Sequence, residues 1–160
     1  MQKKKLKRKE VKQILLALHK RFGISPEIFK GLALFKTKDR VYITTAECSY
    51  DSLFSAVETA GLALIRQGNT MKPTTDALQL FGEHATKNSI ELSREELEKA
   101  IKGESIIKEF KNEIPENLTN GYIIMKYKKH VLGCGFLRDG IVESMIPKPR
   151  RALLRGVKSY

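Results

Sequence analysis

The amino-acid sequence predicts an α+β protein, with a small N-terminal α/β domain over residues 1–85 and a mainly β domain over residues 86–160. Three observations predict it. Val11, Ile14, Leu15, Leu18 and Phe22 fall on a helical period near the start of the chain. Apolar runs of strand length follow, in GLALFKTK, RVYITT and GLALIRQ. From Gly121 onward the pattern is β alone: YIIMKY, VLGCGFL and IVESMI, parted by turn residues.

The first helix is amphipathic and stops at Gly23, a residue suited to the left-handed conformation beyond a helix end. Its cationic side merges with a basic N-terminal tail. Ser25-Pro26-Glu27 has the character of an N-cap, a first helical position and an acidic first turn, so a short second helix is expected there. The next two strands, in residues 31–38 and 40–45, are separated by the turn-like Asp39. Residues 46–60 are ambiguous, with a helix over Ser52–Thr59 favoured. GLALIRQ is a further strand, GNTMKP breaks the pattern, and TTDALQLFGEHA resumes a helical period. Gly82 sits inside that helix at a cost of about 1 kcal/mol relative to alanine.

LSREELEKAIKG is the clearest local signal. Ser93 and Glu96 match a capping box, each satisfying an otherwise unpaired backbone donor, and Leu92 and Leu97 take the staple positions. A helix over Arg94 to Lys102 therefore ends at Gly103. ESIIKEF reads as a short strand and residues 111–120 as a polar loop. The three C-terminal strands form a meander, with a short turn at KKH and a tight one at Asp139-Gly140, before Pro147 and Pro149 punctuate the chain.

The formal net charge of +12 is concentrated at the ends. Residues 1–10 carry six cations against Glu10, and residues 147–160 carry Lys148, Arg150, Arg151, Arg155 and Lys158 with no acid. The stretch between them is nearly neutral. Basic ends attract polyanions by releasing condensed counterions, which points to nucleic acid. The alternatives are solvated tails that aid solubility, or an anionic membrane surface, for which no lipidation signal speaks. No apolar run approaches the roughly 20 residues needed to cross a bilayer, and no secretory signal pattern is present. Two cysteines, Cys48 and Cys134, make no disulfide framework, so a reducing, cytoplasmic setting is expected.

Gly133-Cys134-Gly135 invites a catalytic reading, which the spacing does not support. It lies between two β segments, without the G-x-G-x-x-G spacing or an acidic partner about 20 residues on, and no G-x-x-x-x-G-K-[ST] motif exists. His130 and Lys129 lie close to Cys134 in sequence and would suit a nucleophile. Glycines flanking a small residue in a strand more often permit close packing or a bulge. His19, His84 and His130 are dispersed and make no metal-ligand spacing. Glu95, Glu96 and Glu98 are explained by capping and by the helix dipole. No cofactor and no catalytic residue is expected.

The order helix, glycine, short strand, loop and then NGYIIMKYKKHVLGCGF is similar to a PUA domain, the RNA-binding module named for pseudouridine synthases and archaeosine transglycosylases. ELSREELEKAIKGESI resembles the family's capped helix ending at a glycine. Asn120-Gly121-Tyr122 and Leu132-Gly133-Cys134-Gly135-Phe136 resemble its two strand signatures, with Tyr122 departing from a common Asp. The similarity covers residues 86–150. The segment from Gly61 to Glu104 resembles the approach to the PUA-like tail of rRNA cytosine-5 methyltransferases, and also archaeal stand-alone proteins classed with ribosome biogenesis factors. SMIPKPRRAL resembles the end of that tail, while the catalytic domain with its cofactor motifs and cysteine pair is absent.

The resemblance implies a PUA-like β pseudo-barrel and places RNA against the helix that ends at the glycine, the loop after it and the end of the barrel. Carried over, that implicates Lys99, Lys102, Gly103, Glu104, Arg150 and Arg151, with Lys148 in the same basic terminus. Gly103 lets backbone approach a phosphate, while Lys99 and Lys102 equally suit the negative end of the helix dipole. Lys126, Lys128 and Lys129 flank a hairpin turn and either extend the basic surface or solubilise it. The leading expectation is a non-enzymatic cytoplasmic protein that binds rRNA or tRNA, in ribosome biogenesis or RNA modification, with no membrane partner. An adaptor for a separate RNA methyltransferase or for ribosomal proteins is the second reading, and a small RNA-modifying enzyme using Cys134 the third.

Overall fold

A computed structural model of the chain describes residues 4–48, 61–110 and 114–159. The helix expected over Ser52–Thr59 and the first lysine of the basic N-terminus lie outside the described residues. Helix α1 (Arg8–Phe22) forms on its apolar period and buries Ile14, Leu18 and Phe22. Gly23 ends it at φ +68°, donating its N–H to the His19 carbonyl at 2.7 Å. Its start is held by the Glu10 carboxylate, which accepts the Lys7 N–H at 2.8 Å.

The basic N-terminus expected as a tail is not free from Lys4 onward. Strand β1 (Lys4–Lys5) pairs antiparallel with β2 (Leu32–Lys36), and Leu6 is buried behind it. Strands β3 (Arg40–Thr45), β4 (Leu62–Arg66) and β5 (Lys72–Pro73) continue the sheet in sequence order, all antiparallel. The short second helix at Ser25 is a single 3-10 turn over Pro26–Phe29, capped by the Ser25 hydroxyl. Helix α2 (Thr75–Phe81) starts at Thr74, whose hydroxyl accepts the Ala77 N–H at 3.1 Å.

The second sheet runs in the order β6-β8-β9-β10-β7 and curls into a half-barrel. Its strands are β6 (Ser89–Glu91), β7 (Ile106–Ile107), β8 (Gly121–Tyr127), β9 (His130–Arg138) and β10 (Ile141–Ser144). The meander of β8, β9 and β10 is the one the sequence predicts, and Asp139 and Gly140 turn between the last two with φ of +49° and +83°. Two strands close its edges. β6 lies parallel to β8, and β7 lies antiparallel to β10. Sequence patterning predicts no strand at β6, because Ser89-Ile90-Glu91 offers a single apolar residue and pairs only with a partner more than 30 residues on. Helix α3 (Arg94–Lys102) has the predicted capping box, with Glu96 N–H to the Ser93 hydroxyl at 3.2 Å and Ser93 N–H to the Glu96 carboxylate at 2.7 Å. After Pro147 the chain turns helical, as α4 (Lys148–Leu153) and a 3-10 segment over Leu154–Ser159, where the sequence shows only punctuation.

The buried side chains form two clusters that share one wall. One joins α1, α2 and the first sheet, and includes Ile124 and Cys134. The other joins α3, β10 and the C-terminal segment, and includes Ile123, Met125, Leu132 and Leu137. Alternate residues of the β8–β9 ribbon thus face opposite cores, as a strand's two-residue period requires. Between Met125 and Lys126 the register shifts: Met125 pairs with Gly133, and Lys126 with Val131, leaving Leu132 as the extra residue. The Leu132 carbonyl accepts Gln79 Nε2 at 3.1 Å, so helix α2 satisfies the backbone group that lies in the bulge.

Candidate nucleic-acid interface

Gly103 lies past the end of α3 at φ +80°, a conformation that side chains other than glycine rarely take. The Glu104 N–H donates to the Lys99 carbonyl at 2.9 Å and the Gly103 N–H to the Ala100 carbonyl at 3.2 Å. Together these bonds make the Schellman closure of a helix end. The missing side chain at Gly103 is occupied by a neighbour: a Cβ there would lie 1.6 Å from Arg151 Nη1. Helix α4 therefore lays the Arg151 guanidinium over the C-terminal turn of α3, at the negative end of its dipole.

Lys99, Lys102, Gly103 and Glu104 are all exposed around this junction, while Arg151 is half-buried. The fold thus brings five of the expected residues into one place. Lys148 is exposed in the first turn of α4. Arg150 goes elsewhere. Successive helical residues point about 100° apart, and its guanidinium pairs with Asp76 of the N-terminal unit at 2.7 Å.

The hairpin lysines sit at the other end of α3. Lys126 pairs in register with Glu91, just before the helix starts, and the Lys128 N–H donates to the Glu91 carboxylate. Lys128 takes a φ of +51° in the turn, with its ammonium 5.5 Å from the centre of the Tyr127 ring. Lys129 is exposed beside it. A helix of nine residues separates this corner from Gly103, a length of about 13 Å. The ten expected residues accordingly form three groups rather than one patch.

Cys134 is fully buried in the core shared with α2. Burial pushes its thiol up to about 12, against the opposing influence of Lys72 and Arg21, so the thiolate that nucleophilic chemistry needs is suppressed. The glycines beside it admit neighbours. A Cβ on Gly133 would lie 2.8 Å from Thr75 Cγ2, and one on Gly135 would lie 3.0 Å from Met125 Cγ.

Two residues that sequence patterning does not single out, Arg21 and Asn88, tie the end of α1 to the segment leading into β8. Arg21 of α1 donates from Nε to the Tyr122 carbonyl at 2.8 Å, and from its two Nη atoms to the Thr119 hydroxyl and carbonyl at 2.7 and 2.9 Å. Burial lowers its pKa, with Cys134 acting in the opposite sense. Asn88 is buried at a φ of +50°, gives its amide to the Arg21 carbonyl at 2.6 Å and accepts the Thr119 N–H at 2.7 Å. A buried asparagine in the left-handed region is a local sign that sequence carries, but its partners are 31 and 67 residues away.

Residues 87–152 match the family model described as the methyltransferase RsmF PUA domain. Among solved structures, a conserved PUA domain protein from Thermoplasma acidophilum is similar over 98% of this chain and 86% of its own, at 15% identity and a TM-score of 0.55. A comparison with curated proteins found no match. That shared architecture extends over both sheets, and a PUA domain is in general an RNA-binding module. Helix α3 with its glycine end, the half-barrel and α4 up to Ala152 fall inside the matched segment, so over residues 87–152 the chain is similar to a PUA domain.

Proposed function

We propose that this chain is a non-enzymatic RNA-binding protein that holds structured rRNA or tRNA in ribosome biogenesis or RNA modification, in the cytoplasm. The observation that carries the reading is the junction of α3 and α4. Lys99 and Lys102 are exposed on the last turn of α3 and the Arg151 guanidinium lies over Gly103, so a phosphate can meet three cations together at this helix end. The excess of basic residues in the C-terminal segment extends the attraction. The buried thiol of Cys134 speaks for scaffolding over chemistry.

Affinity for rRNA and tRNA fragments over a salt series tests this. Binding should weaken steeply with salt, and the double change Lys99→Glu and Lys102→Glu should weaken it roughly ten- to hundredfold and lower the salt slope by about 1–2. Cys134→Ala should bind as the parent does. Binding that is indifferent to salt, or to the α3 substitutions, would sink the assignment.

A second reading has one observation in its favour. Ile107 and Ile141 are paired across β7 and β10 and are 70% and 44% exposed. An adaptor that recruits a separate RNA methyltransferase or a ribosomal protein would use such a pair. Ile107→Ser should then abolish recruitment while leaving RNA affinity unchanged.

A further inference from the structure

Four cations from four different elements line one cleft between the two units, away from the α3–α4 junction. They are Arg40 of β3, Arg66 of β4, Lys72 of β5 and Arg150 of α4. Asp76 is the one acid among the lining residues, and it is used to hold Arg150 at 2.7 Å. Asp39 lies behind Arg66 and Arg40, at 3.5 and 3.9 Å from their Nε atoms. Those contacts are long for charge-assisted hydrogen bonds and orient the two guanidinium groups more than they neutralise them. Lys72 enters no salt bridge among the described residues.

We propose that this cleft is a phosphate site, which takes a backbone phosphodiester of the bound RNA. The balance of charge selects an anion: four cations face one lining carboxylate. The site is open to it, with the side chains of Arg40, Arg66 and Arg150 at 47%, 63% and 47% exposure. The lining also supplies a neutral donor. Thr75 is 6% exposed and its buried hydroxyl has no hydrogen-bond partner among the described residues. Size argues for a group of a larger ligand. The cavity is about 220 Å³, below the roughly 300–1,000 Å³ that holds a whole small-molecule ligand.

Arg150 and Arg151 connect this site to the proposed RNA face. One turn of α4 sends Arg151 onto Gly103 and Arg150 across to Asp76, so α4 stands between the two anion positions. A strand bound at the α3–α4 junction that passes over α4 reaches the N-terminal sheet at Arg66 and Lys72. This inference rests on the RNA-binding reading and adds a second contact supplied by the N-terminal unit.

The test measures affinity of the full chain for one rRNA fragment across a salt series. The double variant Arg66→Gln and Lys72→Gln should lower the salt slope by about 1–2 and the affinity about tenfold. A control with the same charge change on the exposed side of α1, Lys12→Gln and Lys20→Gln, should leave the slope near the parent value. Thermal unfolding checks that both variants fold. Equal losses in the two pairs would mean a general charge effect and overturn the site. An unchanged slope in the cleft pair, with the Lys99 and Lys102 variants still impaired, would overturn it while leaving the RNA reading intact. No salt-dependent binding by the parent chain would overturn both. Titration with inorganic phosphate alone separates the sources: saturation of the cleft by free phosphate, with RNA unable to displace it, would also overturn the RNA assignment.

Discussion

Glu96 does two jobs at once, which makes its protonation a test of how α3 is anchored. One carboxylate oxygen accepts the Ser93 N–H at 2.7 Å and the Lys108 ammonium at 2.7 Å. Burial alone would raise its pKa, but the hydrogen bonds from Lys108 and Ser93 and the lysine charge outweigh it and leave the pKa lowered. With the folded value below the unfolded one, unfolding takes up a proton in mild acid. The stabilisation is complete above the ordinary glutamate range and is lost as pH falls through the lowered folded value. Glu96→Gln keeps a side-chain acceptor for the capping box and loses the ion pair. It should cost about 1–2 kcal/mol at pH 7 and flatten the acid limb of the stability curve, as read by urea unfolding between pH 3 and 7. A parallel acid limb in parent and variant would rule this out. The capping residues were legible in the sequence because they are three apart; Lys108 was not, because its approach depends on the path of β7.

At the scale of elements, the β8–β9 ribbon explains the glycines around Cys134. Gly133 pairs with Met125 at φ +148°, where a Cβ would strike Thr75 and Ile146. Gly135 has no such backbone demand and its nearest neighbour is the flexible Met125 side chain. Gly133→Ala should therefore cost about 2–4 kcal/mol, from strain and overpacking together, and Gly135→Ala about 1 kcal/mol. Thermal unfolding of the two variants gives the order; a reversed order would mean that the bulge relaxes. The sequence showed that small residues were required in this strand. Which helix presses against them appears only in the fold, where Gly82 brings the end of α2 within 3.1 Å of Val131 measured from a built Cβ.

At the scale of the whole molecule, the sequence divides at 85/86 while the cores do not separate so cleanly. Ile124 and Cys134 belong by sequence to the second unit and by packing to the first. Tyr122 and Val131 pack against that same cluster, and Arg21 reaches over from α1 to Thr119 and Tyr122. We therefore expect residues 86–160 alone to lose the cover over one face of β8–β9 and about 3–6 kcal/mol of stability. The full chain should melt in one transition, and the isolated segment should bind an apolar dye. Two resolved transitions in calorimetry would show instead that the units fold separately.

The sequence by itself determined the elements whose signals are local. α1 follows from its apolar period and Gly23, α3 from Ser93, Glu96 and Gly103, and the meander from alternation and the Asp139-Gly140 turn. Tertiary structure decided what depends on partners far along the chain. It placed the short β6 and β7 on the sheet edges, turned Lys4–Lys5 from tail to strand, and split Arg150 from Arg151. Strands as short as Lys4–Lys5 and Ser89–Glu91 carry too few apolar side chains to announce themselves, whereas β7 was legible as a strand and only its place on the sheet edge was not. Two neighbouring arginines look alike until a helix points them about 100° apart.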